Sequence, residues 1–382
     1  MSVRADIDDT AARLRSRLVR ALVRGGTLAD PRWRDAFLTV PRHAFLPRYF
    51  LQRAGRWAAV ERGDPDWLNP IYADRVLVTQ LDGDGTHWER ARAGGPVPGA
   101  PTCSSSMPTI MAVMLEALQV GDDDRVLEIG TGTGYNAALL CVRLGDRRIS
   151  TVDVDRTLAE PARRRLNEAG YHPTCVIMDG ANGYPDGAPY DRVLCTCAVP
   201  TIPLPWLEQT KPGGIVVTTL SRPIGAGLVR ITAGDGPNGQ GQVLADDGRF
   251  MPLRAPDTQT VAWPAADAVG STRSARLSAG VISPTSPFEF FAGLGAPGVH
   301  AVGAAHNAVL MAHPDGSWAR HESATVTQGG PRRLWDEVEA AYQQWVALGE
   351  PRRARFGITV TPDVQELWLD RPDSPNRWPL AG

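Results

Sequence analysis

Residues 125–135 read RVLEIGTGTGY: an apolar run meets an acid, Glu128, and glycines then stand at every second position, 130, 132 and 134. Helix-forming residues follow. This pattern predicts a strand that runs into a glycine-rich turn and then a helix. The backbone comes close to whatever lies above the strand's end, and amide donors face it. Two ligand classes use such a turn, dinucleotides and S-adenosylmethionine, and the spacing of the glycines bears on which. The dinucleotide fingerprint is GxGxxG, with alanine tolerated at its third position. Counted from Gly130 and Gly132, that position is Tyr135. Counted from Gly132 and Gly134 it is Ala137, which fits, so this register stays open.

Alternation of strand and helix continues past the turn. Strands are expected at 125–129, 148–153, 174–178, 190–196 and 214–220, with helices near 135–144, 157–169 and 203–210. Near-continuous apolar strands of this kind belong in a parallel sheet covered on both faces. Upstream, helices are expected at 8–24, from Pro31, and at 107–119, with a short strand at 75–81. A Trp-containing connection follows VPRHAFLP (40–47), and 82–100 reads as a long loop without periodicity. GLVRIT (227–232) adds a strand, and 233–247 reads as a hairpin or loop. Residues 264–286 are small and polar, like a linker. Beyond them come a helix at 287–294, strands at 298–302, 307–312 and 317–322 with a turn at HPDG, a helix at 331–348, and a hairpin of 356–361 with 364–369 around TPD. The expected division is a helical segment 1–71, a core 72–250 and an α+β extension 251–382. A length of 382 residues accommodates it, at about 100–200 residues per domain.

Composition narrows the function. The formal net charge is −2 and no basic block stands out, which argues against nucleic acid as a partner. The first 26 residues carry charge throughout and no apolar stretch of a secretory signal, and no run is long and apolar enough for a membrane span. A cytoplasmic protein is expected. The cysteines 103, 141, 175, 195 and 197 form no CxxC pair and read as buried free thiols, and no metal site is read.

Taken whole, the string is ExGxGxG with Glu128 in front, and it resembles the motif of class I methyltransferases. The resemblance implies a Rossmann-like, doubly wound, mostly parallel α/β fold. It also implies S-adenosylmethionine as cofactor and S-adenosylhomocysteine as product. Gly130, Thr131, Gly132, Gly134 and Tyr135 would form the cofactor turn. Asp153 ends the second strand about twenty residues after the glycines, where a carboxylate can accept from both ribose hydroxyls. Val154 follows it, and Asp155 is the competing acid. Asp179 and Gly180, after the third strand, stand where class I methyltransferases place an acceptor for the adenine amino group; a turn aspartate would suit DG equally. Glu128 would hold loop amides or the methionine ammonium.

The acceptor is constrained by chemistry. Transfer from a sulfonium is an in-line displacement that depends on positioning. A carboxylate, with a pKa of about 4, is ionised at neutral pH and needs no base. The fourth strand's end reads Thr196-Cys197-Ala198-Val199-Pro200, with no base among them. This favours a carboxylate, with Thr196, Ala198 and Val199 as substrate contacts.

From about 72 to 220 the chain resembles the protein L-isoaspartate O-methyltransferase family. The resemblance rests on VLEIGTGTGYNAALL, MDGANGYPDGAPYDRVLCTCAVPTIP and WLEQTKPGG. That family carries a serine about twenty-two residues before the motif acid. Here Ser106 stands 22 residues before Glu128, within Ser104-Ser105-Ser106-Met107-Pro108. By resemblance its hydroxyl would bind the acceptor carboxylate, with Ser104 and Ser105 as alternatives; as a bland alternative, Ser106 would cap the 107–119 helix. The family's glycine-rich lead is replaced by the 82–101 loop. FMPLR (250–254), DGSWAR (315–320) and GGPRRLW (329–335) look like the actinobacterial subgroup encoded with ATP-grasp peptide ligases, which mature graspetides. That subgroup esterifies an aspartate of a crosslinked precursor peptide, and the ester closes to an aspartimide. Arg273, Arg276, Arg320, Arg332 and Arg333 would offer contacts to an acidic peptide. Two other functions stay in view: general repair of isoaspartyl residues in proteins, and a non-catalytic recognition subunit for a partner ligase.

Overall fold

The computed structural model describes residues 3–253, 261–303 and 308–380, which leaves Arg254 of the FMPLR segment outside. These residues form two compact units: 1–197 with 203–218 and 232–237, and 198–202 with 219–231 and 238–382.

The first unit holds helices α1 (Val3–Arg24), α2 (Pro31–Thr39), α3 (Leu68–Ile71), α4 (Thr86–Gly94), α5 (Pro108–Ala117), α6 (Tyr135–Leu144), α7 (Arg156–Glu168) and α8 (Leu204–Glu208). Its strands are β1 (Arg48–Arg53), β2 (Arg56–Glu61), β3 (Leu77–Leu81), β4 (Pro101–Ser105), β5 (Val126–Ile129), β6 (Ile149–Asp153), β7 (Thr174–Ile177), and residues 190–197 of β8 (Tyr190–Val199) and 210–218 of β9 (Thr210–Leu220). The main sheet runs β7-β6-β5-β8-β9. β5 is parallel to both β6 and β8, and β6 to β7. Burial of every residue of β5 and of Ile149–Val152 shows why their sequences are apolar without alternation. The strand order reverses around β5, which makes the carboxyl ends of β5 and β8 the topological switch point where α/β sheets bind ligands. This is the fold class expected from the sequence.

A second, antiparallel sheet in this unit, β2-β1-β3-β4, differs from expectation. The Trp-containing connection is the hairpin β1–β2, whose turn takes Ala54 and Gly55 at φ 49° and 76°. Such a turn favours Asn-Gly, so the alanine hid it. The 82–101 segment contains α4, because Trp88 and Ala91 pack with Phe50, Val78, Leu81 and Val97. Two buried side chains on nine residues leave too little periodicity to read. The sheet has a positional consequence: β4 ends at Ser105 and delivers the serine segment.

In the second unit, β10 (Gly227–Ala233), β11 (Gly239–Val243), β17 (Phe356–Val360), β18 (Gln365–Leu369) and β19 (Arg377–Pro379) lie side by side in that order. A five-stranded sheet runs β12 (Ser271–Ser274), β16 (Thr325–Gly329), β15 (Trp318–Glu322), β14 (Ala308–Ala312), β13 (His300–Val302), all antiparallel. Helices α9 (Glu289–Gly295) and α10 (Leu334–Ala347) pack together, and Phe288 meets Tyr342 and Trp345 at ring separations of 5.0 and 5.4 Å. β12 lies in the stretch that reads as linker. STRS is a largely exposed edge strand and carries no apolar signal.

Candidate active site

The glycine turn has the conformation its spacing demands. Gly130, Gly132 and Gly134 take φ of 95°, 52° and 86°, in the left-handed region. A Cβ on Gly130 would stand 2.7 Å from Thr196 Oγ1 and 3.0 Å from Cys197 Sγ. The Thr196 hydroxyl fixes this approach by donating toward the carbonyls of Ile129 and Gly130, at 3.2 and 3.0 Å. Gly134 precedes α6, and a Cβ there would press on Leu166 of α7. Tyr135 is buried against Phe37 and Phe45, so only its main chain faces the turn.

Glu128 lies beneath the turn with no exposed surface. Its carboxylate accepts from the Thr151 hydroxyl at 2.6 Å and from the Asn136 amide at 2.8 Å, and the Thr131 hydroxyl meets Thr151 at 2.7 Å. Side chains, rather than loop amides, thus hold it. Burial raises its pKa to about 7, against the two hydrogen bonds.

Asp153 ends β6 and closes the turn from the other side. Its carboxylate accepts from the Gly132 amide at 2.9 Å and from the Asp155 amide at 3.0 Å. Asp155 instead caps α7, accepting from the Thr157 amide and hydroxyl and from Gln80. Exposed Val154 lies between the two acids. Asp179 caps a short 3-10 turn by accepting from the Ala181 amide at 3.0 Å, and buried Gly180 accepts from the Trp206 indole at 2.8 Å. Glu128, the glycines, Asp153 and Asp179 thus sit at the carboxyl ends of three adjacent strands. That set fits an adenosyl ligand: a close-approach turn, acceptors for hydroxyls and an acceptor for an amino group.

The serine segment reaches the same turn. A Cβ on Gly132 would lie 3.6 Å from Cys103 Sγ and 3.9 Å from the Ser104 carbonyl. Ser105 is buried and its hydroxyl accepts from Arg42 at 3.2 Å. Ser106 is half-buried, and among the described residues its hydroxyl has no hydrogen-bond partner. Nor does it cap the helix: Met107 occupies the cap position of α5, and Asp74 accepts from the Thr109 amide and hydroxyl.

Sequence reasoning missed Arg42. It is fully buried, and it donates to the carbonyls of Ser106 and Ile71, each at 2.8 Å. Its guanidinium lies 5.8 Å from the Tyr135 ring centre. Burial lowers its pKa to about 10, so it stays charged. The only sequence signal is an arginine between prolines and apolar residues in VPRHAFLP. Asn136 and Thr151, the partners of Glu128, were missed for a simpler reason: their spacing from it carries no pattern.

Ala198 and Val199 are buried and fall in the second unit. Ala198 donates to the Met251 carbonyl at 2.9 Å and accepts from the Leu253 amide at 2.8 Å, and the Ser221 amide donates to Val199. Of the expected peptide contacts, Arg273 is ion-paired with Asp336 and Glu339, and Arg332 with Glu337. Arg320 and Arg333 bond main-chain carbonyls. The five cysteines are free thiols. No described helix is long and apolar enough to cross a membrane.

Comparisons with known proteins agree with this geometry. A family model described as protein-L-isoaspartate(D-aspartate) O-methyltransferase matches residues 96–242. The chain is 38% identical over 207 residues to a protein-L-isoaspartate O-methyltransferase of Methanosarcina mazei, covering 54% of this chain and 69% of that one. It is 35% identical to one of Maricaulis maris, covering 60% and 90%. A solved protein-L-isoaspartate O-methyltransferase structure aligns with a TM-score of 0.54 over 94% of this chain and all of that one, at 21% identity, a likeness of fold.

Proposed function

The chain belongs to the protein-L-isoaspartate O-methyltransferase family, and we propose that its acceptor is an aspartate carboxylate of a ribosomally synthesised, crosslinked peptide, a graspetide. It is an S-adenosylmethionine-dependent carboxyl O-methyltransferase. S-adenosylmethionine supplies a sulfonium methyl already activated for displacement.

The protein's residues then position the two partners. Asp153 accepts from the ribose hydroxyls and Asp179 from the adenine amino group, while Gly130, Thr131, Gly132 and Gly134 let the ligand lie against the main chain. Ser106, whose hydroxyl has no partner among the described residues, donates to the acceptor carboxylate; Arg42 fixes the Ser106 carbonyl and so aims the segment. A carboxylate oxygen attacks the methyl carbon, the carbon–sulfur bond breaks toward sulfur, and S-adenosylhomocysteine leaves. No proton moves, consistent with the base-free sequence at 196–200. The neighbouring peptide amide nitrogen then attacks the ester carbonyl and methanol departs, giving an aspartimide. That ring closure is intramolecular and needs only proximity.

The observation that carries the crosslinked-peptide reading is the pair of hydrogen bonds between Ala198 and Met251–Leu253. They set Met251 and Leu253, past the last residue of the family match, beside Ala198 within the second unit, a residue expected to contact the acceptor. A crosslinked loop presents one aspartate rigidly, which lowers the ordering cost of binding. The working context is the cytoplasm, alongside an ATP-grasp ligase that makes the crosslinks. The names of the relatives favour a second reading, methylation of isoaspartyl residues in damaged proteins. Measuring S-adenosylhomocysteine release with a crosslinked precursor, its linear form and a plain isoaspartyl peptide separates the two. Preference for the crosslinked precursor is expected; fast turnover of the isoaspartyl peptide alone would establish the second reading instead.

A further inference from the structure

Gln80 is a buried amide in β3, a strand whose other buried residues are Leu77, Val78 and Leu81. Burying an amide is costly unless its two ends are hydrogen-bonded. Here both are. Nε2 donates to the Asp155 carboxylate at 3.0 Å, and Oε1 accepts from the Thr102 hydroxyl of β4 at 2.9 Å. The pairing of β3 with β4 slips on both sides of Gln80, between Val78 and Gln80 and again between Gln80 and Leu81. Such irregularities re-aim a side chain, and this one meets the residue that caps α7. The two ends of the bridge lead to different parts of the site. The Asp155 amide donates to the Asp153 carboxylate, which also accepts from Gly132 in the cofactor turn. Thr102 stands four residues before Ser106, in the strand that delivers the serine segment. All of these residues belong to the first unit.

We propose that Gln80 is a positioning residue that couples the methyl-donor site to the acceptor segment. Ribose hydroxyls that donate to Asp153 fix residues 153–155. Asp155 then holds Gln80, and Gln80 holds Thr102 and with it β4. Binding at one end orders the other, so donor and acceptor bind with positive linkage, by the same factor in both directions. The inference rests on the roles given above to Asp153 and Ser106, and it assigns the connection between them to one side chain.

The test measures acceptor binding to the full-length protein with and without S-adenosylhomocysteine, using whichever of the crosslinked and isoaspartyl peptides the protein methylates. In wild type, S-adenosylhomocysteine should tighten the peptide about five- to tenfold. In Gln80→Leu that factor should fall to within about twofold of one, while each ligand alone binds within about threefold of wild type. Thr102→Val removes the hydroxyl that donates to Gln80 and keeps the side chain's shape. It should lose part of the factor, and it decides the matter if Gln80→Leu does not fold. Hydrogen exchange adds a readout that needs no acceptor: S-adenosylhomocysteine should slow exchange at residues 102–107 in wild type and not in Gln80→Leu. Equal peptide affinity with and without S-adenosylhomocysteine in wild type, or an undiminished factor in a folded variant, overturns the inference. So does a Gln80→Leu that weakens both ligands equally and keeps the factor, the behaviour of a structural brace alone. If neither peptide is methylated, the acceptor reading fails, and exchange at residues 102–107 decides Gln80 by itself.

Discussion

Glu128→Gln isolates the cost of keeping an ionisable group beneath the cofactor turn. Its folded pKa of about 7 lies above the ordinary 4.5 because the carboxylate has no exposed surface. The folded state therefore holds the proton more tightly than the unfolded chain. The associated stability is fully present below the unfolded pKa and is lost as pH rises through about 7. At about pH 8 both states are ionised, and the charged form in the folded protein costs about 3 kcal/mol relative to the protonated form; at about pH 5 less than about 1 kcal/mol has been lost. Glutamine cannot ionise. It keeps an acceptor for the Thr151 or Asn136 donor and loses the other, a pH-independent offset of about 1 kcal/mol. Urea denaturation of both proteins across this range should show wild type losing about 2–3 kcal/mol more than the variant between the two ends. Parallel curves would refute the reasoning, because they would mean that Glu128 does not change its proton affinity on folding.

Four further substitutions test the site. Asp153→Ala should weaken S-adenosylmethionine binding by about 1.5–3 kcal/mol in calorimetry, whereas Asp155→Ala should mainly cost about 1 kcal/mol of stability through the lost cap of α7. The reverse pattern would move the ribose role to Asp155. Ser106→Ala should lower kcat/KM about ten- to hundredfold with an unchanged melting temperature, since its hydroxyl holds nothing in the fold; full activity would remove Ser106 from the acceptor site. Gly130→Ala places a Cβ 2.7 Å from Thr196 Oγ1 at a φ of 95° and should destabilise the protein by about 1–3 kcal/mol in chemical denaturation, and wild-type stability would contradict the close approach.

The core was legible because its signals are local. Apolar strands, the alternate glycines and the acids after β6 and β7 each declare themselves within a few residues, and the switch point follows from their order. Asp179 caps a turn, as the DG sequence allows, and its role toward adenine stays a proposal. For Asp155 the helix cap won locally. Elements defined by partners far along the chain were opaque. β12 is polar and exists through pairing with β16, and α4 rests on two side chains that reach a sheet some distance away in sequence. Arg42 belongs with them. Its donors reach carbonyls contributed by Ile71 and Ser106, and nothing in residues 40–47 announces those partners.

The most direct test of the account follows the mass of a crosslinked acidic peptide during incubation with the full-length protein and S-adenosylmethionine. The peptide is expected to gain one methyl on a single aspartate, in step with S-adenosylhomocysteine, and then to lose methanol as the aspartimide closes. A peptide that keeps its mass while a plain isoaspartyl peptide is methylated under the same conditions would contradict the proposed acceptor.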